Sequence, residues 1–281
     1  MKKVTIVGVP EHFNFPWNLC IDNGEFAEHG IELEWQDIPE GTGRMCTMLR
    51  NGEADLAVIL SEGIIKDISQ GNQVQILQEY VSSPLRWGIH VANQSAFKNI
   101  EDLKGKRIAI SRYGSGSHLM AIVHAKQMNW DLNQLEFVVI NTLDGAIAAL
   151  HNNEADYFMW ERFMTQPIVD QKIFRRIGEC PTPWPSFVVV ARKEFAEQNN
   201  ALIKHLLEII NTTTSEFKHI PSIDRTLATK YNQKLEDIQA WLKLTQWSQK
   251  QLPESKYQKI TEELKALDLL EEVKPYKEVI L

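Results

Sequence analysis

The chain has 281 residues, of which 43% are hydrophobic and 24% charged, and its net charge is −7. This length suits one large domain or two domains of roughly 100–150 residues each. An acidic chain without a basic block argues against nucleic acid as a partner. No apolar run approaches the ~20 residues of a membrane helix, so we expect no membrane insertion.

Strand patterns and helix patterns alternate along most of the chain. The predicted strands are residues 4–9, 31–35, 55–60, 74–79, 85–92, a strand ending at 110, 135–140, 155–160, 174–177 and 186–191. The predicted helices are 17–27, 44–50, 62–70, 119–128, 144–150 and 161–169, with further helices from 194 onward. This order predicts an α/β fold with mainly parallel sheets flanked by helices.

One phrase occurs twice in the chain. Residues 49–55 (LRNGEAD) are echoed by residues 150–156 (LHNNEAD), and each copy joins a helix to an apolar strand. Gly52 and Asn153 stand where a helix needs a left-handed residue at its end. Two copies with matching surroundings predict two lobes of similar construction. We expect lobe 1 to comprise 1–88 and 190–281, with lobe 2 (89–189) inserted in it.

Four segments carry a family resemblance. They are residues 24–33 (GEFAEHGIEL), 49–55, 102–109 (DLKGKRIA) and 187–195 (FVVVARKEF). In these segments the chain resembles the solute-binding proteins of nitrate, sulfonate and taurine ABC transporters and the related thiamine-pyrimidine proteins. The resemblance implies a type II periplasmic-binding fold, a ligand held between two hinged lobes, and an ABC permease as a partner. The sequence as given departs from the family pattern in two ways, since no signal-peptide pattern opens it and the cysteine run of pyrimidine-forming members does not occur.

The ends of the predicted strands select the candidate ligand-binding residues. Ligands of open α/β sheets bind beyond the carboxyl ends of the strands, where helix N-termini offer free N–H groups. In lobe 1 this rule selects Glu11, His12, Phe13, Asn14, Trp17, Gly41, Thr42, Gly43, Arg44, Ser61 and Glu62. Trp184, on the approach to the crossing that returns to lobe 1, is a candidate wall of the site. In lobe 2 it selects Ser111, Tyr113, Gly114, Ser115, Gly116, Ser117, His118, Trp160 and Glu161.

Each group of candidates has an alternative interpretation. The 113–118 loop is the best anion site, because its glycines admit close approach and its hydroxyls donate; otherwise it is only a helix start. Arg44 either pairs with an anionic ligand or lies on a solvated helix face. Glu62 and Glu161 either face the ligand, favouring a cationic or amine-bearing one, or only complement the following helices. Trp17 either lines the site or belongs to the core.

The sequence offers no catalytic motif and no metal-ligand spacing. The three cysteines, Cys20, Cys46 and Cys180, form no CxxC pair, and no HExxH or GxSxG pattern occurs. We therefore predict no catalytic residues, no metal and no cofactor.

The leading hypothesis is a binding protein for a small polar or aromatic organic ligand, working as the solute-binding component of an ABC-type uptake system. The alternatives are a cytoplasmic enzyme on the same fold, as in pyrimidine and menaquinone pathways, or a ligand sensor. Residues 1–3 resemble the start of an export signal, but no apolar segment follows. The sequence as given therefore predicts a cytoplasmic protein, and an export signal ahead of this start would place it in the periplasm.

Overall fold

The computed structural model describes residues 1–281, which form ten strands and thirteen α-helices. The strands are β1 (Lys2–Gly8), β2 (Ile31–Asp37), β3 (Leu56–Leu60), β4 (Val74–Val81), β5 (Arg86–Ala92), β6 (Arg107–Ile110), β7 (Glu136–Val139), β8 (Tyr157–Glu161), β9 (Phe174–Pro181) and β10 (Phe187–Arg192). The helices are α1 (Phe15–Asp22), α2 (Glu25–Glu28), α3 (Thr42–Asn51), α4 (Ser61–Ser69), α5 (Gly116–Gln127), α6 (Leu143–His151), α7 (Gln166–Asp170), α8 (Lys193–Gln198), α9 (Asn200–Glu216), α10 (Ile223–Lys230), α11 (Leu235–Leu244), α12 (Glu254–Ala266) and α13 (Tyr276–Val279). No helix is both long enough and apolar enough to cross a bilayer.

The chain divides into two units, one continuous and one discontinuous. Unit 1 comprises Met1–Pro84 and Pro183–Leu281, and unit 2 is Leu85–Thr182. The sequence predicts lobe boundaries after residues 88 and 189. In the structure the chain passes from one unit to the other after Pro84 and again after Thr182.

The two sheets have the same plan. Unit 1 has the strand order β2-β1-β3-β10-β4, and unit 2 has the order β7-β6-β8-β5-β9. In each sheet four strands share one direction, and one strand, β10 or β5, runs antiparallel to its neighbours. The predicted α/β fold of mainly parallel sheets is therefore confirmed.

The repeated phrase keeps its place in both sheets. Leu56 pairs with Ile6 in unit 1, and Tyr157 pairs with Ile108 in unit 2. Gly52 has φ 73° and Asn153 has φ 57°, so the predicted left-handed residue is confirmed in both copies. The central strands are apolar on both faces because helices cover both sides of each sheet. The side chains of Val58 and its neighbours in β3 are accordingly inaccessible to solvent.

An aspartate at the end of each phrase joins the repeated strand to the strand beside it. The Asp55 carboxylate accepts hydrogen bonds from the Thr5 amide (3.0 Å) and from the Arg192 guanidinium (2.9 Å). The Asp156 carboxylate accepts them from the Arg107 amide (2.8 Å) and from the guanidinium of the same arginine (3.0 and 3.1 Å). We call these two arrangements the aspartate clamps. Each clamp holds one strand register, because the charged acceptor bonds a backbone amide of the neighbouring strand.

Several element boundaries differ from the sequence prediction. The first helix begins at Phe15, two residues early, and it breaks at Asn23-Gly24 into α1 and α2. The helix predicted over 161–169 is only α7, since Glu161 remains in β8 and the next four residues form a turn. The predicted strand 174–177 extends to Pro181 because β5 pairs along its whole length.

Replacing Asp156 with alanine should lower the free energy of unfolding by about 2–3 kcal/mol, because a charged acceptor of a backbone amide and a guanidinium is lost. Burial raises the pKa of Asp156, but the bonds from Arg107 outweigh it, so the pKa lies below its usual value. Urea denaturation followed by circular dichroism measures the change. The exposed neighbour Glu154, replaced by alanine, is the control. Equal stabilities of the two variants would contradict the role of the clamp.

Candidate functional site

A close approach at the end of β1 positions the first candidate loop. A Cβ atom on Gly8 would lie 2.4 Å from the Trp35 ring and 2.9 Å from Asn14 Nδ2, so only glycine fits there. Asn14 ends a 3₁₀ turn that begins at His12, and its Nδ2 donates to the Val9 carbonyl (2.8 Å). The loop therefore folds back over the end of its own strand.

Aromatic side chains from distant parts of unit 1 hold the same loop. The Phe13 carbonyl accepts hydrogen bonds from the Tyr80 hydroxyl (2.9 Å) and from Trp247 Nε1 (3.2 Å). The His12 ring packs against Tyr231 and Trp241, with centroid separations of 4.4 and 5.0 Å. The helical C-terminal segment thus fixes a turn that lies more than 200 residues earlier.

The end of β3 brings three candidate residues together. The Ser61 hydroxyl donates to the Pro185 carbonyl (2.8 Å), and Trp184 Nε1 donates to the Glu62 carboxylate (2.8 Å). Glu62 is only 2% exposed and lies in the first turn of α4. The segment that precedes β10 therefore closes over the start of α4.

The start of α3 lies against the start of α4. A Cβ atom on Gly63 would approach the Thr42 methyl group to 2.4 Å, so the two first turns are in contact. Gly41 has φ 78° and allows the chain to enter α3. Arg44 points elsewhere, since it is exposed and forms an ion pair with Glu53 at 2.6 Å.

Two carboxyl groups of unit 1 are desolvated at this edge. Burial raises the pKa of Glu62 to about 7, against weaker opposing hydrogen bonds from its own backbone and Trp184. Burial also raises the pKa of the half-buried Glu11 to about 7. No ion pair involves either residue. This edge of unit 1 is therefore rich in hydrogen-bond acceptors.

The candidate loop of unit 2 is organised by three serine hydroxyls. Ser115 caps α5, and its hydroxyl donates to the Arg112 carbonyl (2.7 Å). Ser117 Oγ lies 3.1 Å from Ser115 Oγ and accepts the Ser111 amide at 2.9 Å. His118 Nδ1 accepts the Gly114 amide (3.1 Å). The network holds the first turn of α5 at the carboxyl end of β6, where its N–H groups favour an anion.

The other candidates of unit 2 have different surroundings. Tyr113 is 64% exposed and meets the His118 ring edge-on, with a centroid separation of 5.3 Å. Trp160 stacks on Phe158 at 5.5 Å and packs against the core of the unit. The Glu161 carboxylate accepts the Met164 amide (2.7 Å), so it caps the turn after β8.

The structure thus sorts the predicted residues into three groups. In unit 1 it brings Ser61, Glu62 and Trp184 together and sets Thr42 against the start of α4. It directs Arg44 to the surface and places Trp17 wholly in the core, stacked on Phe26 and Trp35. The remaining predicted residues lie at strand ends: Glu11, His12, Phe13, Asn14, Gly41 and Gly43 in unit 1, and Ser111, Tyr113, Gly114, Ser115, Gly116, Ser117, His118, Trp160 and Glu161 in unit 2.

Sequence reasoning missed the residues that support the first loop. Tyr80 and Trp247 bond the Phe13 carbonyl across 67 and 234 positions of the chain. Trp241 and Trp247 are buried, but no local pattern in the sequence connects them to Phe13. No group of three or more His, Cys, Asp or Glu side chains is arranged to hold a metal ion.

Comparison with known proteins gives several matches. Residues 87–180, which span nearly all of unit 2, match the family model described as Ca3427-like PBP. Over 180 residues the chain is 24% identical to the "Putative aliphatic sulfonates-binding protein" of Escherichia coli (strain K12). That alignment covers 63% of this chain and 54% of the relative, so the match spans about half of the relative's length.

Several solved structures match over the whole chain. The CA3427 gene product of Candida albicans superposes with a TM-score of 0.89 at 25% identity, covering 100% of this chain and 96% of that one. The alkanesulfonate-binding protein SsuA from Xanthomonas axonopodis pv. citri, bound to MOPS, gives a TM-score of 0.83 at 14% identity, covering 100% and 98%. The Candida albicans protein is described as exhibiting the generic periplasmic binding protein structural fold.

Acidification should destabilise the protein through His12. Burial lowers the pKa of this fully buried side chain to about 4, partly offset by Gln233, whereas the usual value is 6.5. The unfolded chain therefore takes up a proton that the folded chain excludes as the pH falls from 6.5 towards 4. The contribution of neutral, buried His12 to the free energy of unfolding is therefore fully present above pH 6.5. It is lost progressively as the pH falls from 6.5 to about 4.

We expect His12→Phe to reduce the loss of unfolding free energy between pH 7.5 and pH 5 by about 2 kcal/mol. Phenylalanine keeps the ring contacts with Tyr231 and Trp241, and the other histidines act equally in both proteins. Urea titrations at the two pH values measure the effect, with exposed His29→Gln as the control. The same pH dependence in wild type and His12→Phe would refute this explanation.

Proposed function

Because the chain belongs to the type II periplasmic-binding-protein-like family, we propose that it binds a small polar organic ligand without changing it chemically. In this proposal it is the solute-binding component of an ABC-type uptake system. In this proposal the strand-end loops at the carboxyl edges of the sheets provide the ligand contacts.

The observation that carries the proposal is the serine-capped start of α5. This helix has 12 residues, begins at the carboxyl end of β6, and lies within the segment that matches the family model. Its first turn presents backbone N–H groups, and Ser115 and Ser117, which hold it in place, are less than 10% exposed. Such a start suits an anionic group, for example a sulfonate or a carboxylate.

The names of the relatives support the ligand class and the setting. The Escherichia coli relative and the Xanthomonas structure are both named for binding sulfonates. A further structural neighbour, at 16% identity, is the periplasmic aliphatic sulphonate binding protein SsuA from Escherichia coli. We therefore propose a sulfonate or a related small organic ligand, delivery to a permease, and a periplasmic location.

A thermal-shift screen tests the proposal. The probes are propanesulfonate, taurine, nitrate, a hydroxymethyl aminopyrimidine and a polyamine. At a concentration of 100 times its dissociation constant, a true ligand adds about 2.7 kcal/mol to the stability of the folded protein, which raises the melting temperature. The absence of stabilisation by every probe would contradict the proposed ligand class.

Replacing Ser117 with alanine should weaken binding of the best anionic probe at least tenfold. The side chain is 1% exposed and bonds the Ser111 amide, so its loss loosens the start of α5. Isothermal titration calorimetry gives the affinity, with the exposed Ser215→Ala in unit 1 as the matched control. Unchanged affinity in Ser117→Ala would place the anion elsewhere.

A further inference from the structure

Unit 1 presents an unusual set of acceptors at the ends of two neighbouring strands. Asn14 is 1% exposed, and its Oδ1 has no hydrogen-bond partner. The orientation of the amide is fixed, because Nδ2 donates to the Val9 carbonyl. Oδ1 therefore remains a buried acceptor without a donor, which is unfavourable until a donor reaches it.

Glu62 is a second buried acceptor close to the same edge. Strands β1 and β3 are parallel neighbours, with Ile6 opposite Leu56, so the chain leaves both at the same edge of the sheet. Asn14 follows the end of β1, and Glu62 follows the end of β3. Neighbouring strands lie about 4.8 Å apart, so the two segments leave the sheet side by side.

The surroundings of Glu62 lack a compensating positive charge. Its hydrogen bonds come from the uncharged Trp184 indole and from its own backbone, and no Lys, Arg or His side chain pairs with it. Two cations of unit 1 have contacts of their own, since Arg44 pairs with Glu53 and Lys230 lies 5.1 Å from the Phe15 ring centroid. A buried carboxylate without a cation is strongly disfavoured, which is why its pKa is raised to about 7.

An acceptor-rich, cation-free edge is suited to a donor that arrives with the ligand. We propose that the ligand carries a basic, N–H-donating nitrogen, such as an amine or amidinium group, that binds to Glu62 and Asn14 Oδ1. This inference rests on the proposed function and narrows its ligand class.

Matched pairs of probes test the inference. Each pair keeps the skeleton and exchanges a basic nitrogen for oxygen: taurine against isethionate, putrescine against its diol analogue, and a hydroxymethyl aminopyrimidine against its oxo analogue. We expect the nitrogen member of any pair that binds to bind at least tenfold tighter in isothermal titration calorimetry. Glu62→Gln keeps the shape and an acceptor for Trp184, and it should abolish this preference.

Two further variants separate charge from structure. Glu62→Asp keeps the carboxylate and should retain a preference for nitrogen, although binding is weaker. Glu208→Gln removes an exposed carboxylate from α9 in the same unit and should change nothing. If Glu62→Gln lowers the melting temperature of the ligand-free protein, Glu62→Asp still decides whether the charge is required.

The outcomes distinguish this inference from the proposed function. Equal affinity for both members of a pair that binds, or a nitrogen preference that survives in Glu62→Gln, overturns the inference and leaves the function standing. Failure of every probe to bind overturns the proposed function, and the inference falls with it.

Discussion

The aspartate clamps set the strand registers on which the candidate sites depend. A parallel strand that slips by one residue moves every side chain to the opposite face. Asp55 and Asp156 oppose such a slip, since each bonds an amide of the adjacent strand and a guanidinium. Once the register is held, the carboxyl ends of the strands are fixed too, and the loops that leave them start from defined points. The positions of the polar candidate residues therefore depend on Asp55 and Asp156, whose charges lie at the opposite, amino-terminal ends of the strands.

The two units use this common frame for different chemistry. In unit 2, hydroxyl groups support a helix start that offers N–H donors, whereas the matching edge of unit 1 offers buried oxygen acceptors. The difference is visible in two residues that the sequence made look equivalent. Glu161 is the last residue of β8 and bonds a backbone amide nearby. Glu62 lies two residues beyond the end of β3, on a helix, and bonds a side chain from 122 positions away. In the proposed function, recognition of a ligand depends on the segments into which the shared strands lead.

Much of this architecture could be predicted because its signals are local. Apolar runs identified the central strands, and the repeated phrase identified the two sheets. The surroundings of individual side chains could not be predicted, because they depend on distant segments. Trp17 follows a candidate loop in sequence, yet helical rotation turns it towards Phe26 and Trp35. Arg44 was open to two interpretations, and only the position of Glu53 shows which way the side chain extends. The bonds to the Phe13 carbonyl have no sequence signature at all.

The aspartate clamps also differ in where the arginine comes from, and this has a consequence for synthesis on the ribosome. In unit 2 the guanidinium belongs to Arg107, within the 98 consecutive residues from Leu85 to Thr182. In unit 1 it belongs to Arg192, on the strand that lies between β3 and β4. The nascent chain can therefore complete the inserted unit while the surrounding one still lacks an interior strand. Residues 1–84 emerge first, but their sheet is complete only once β10 has been synthesised, and before that the facing edges of β3 and β4 lack their partner strand.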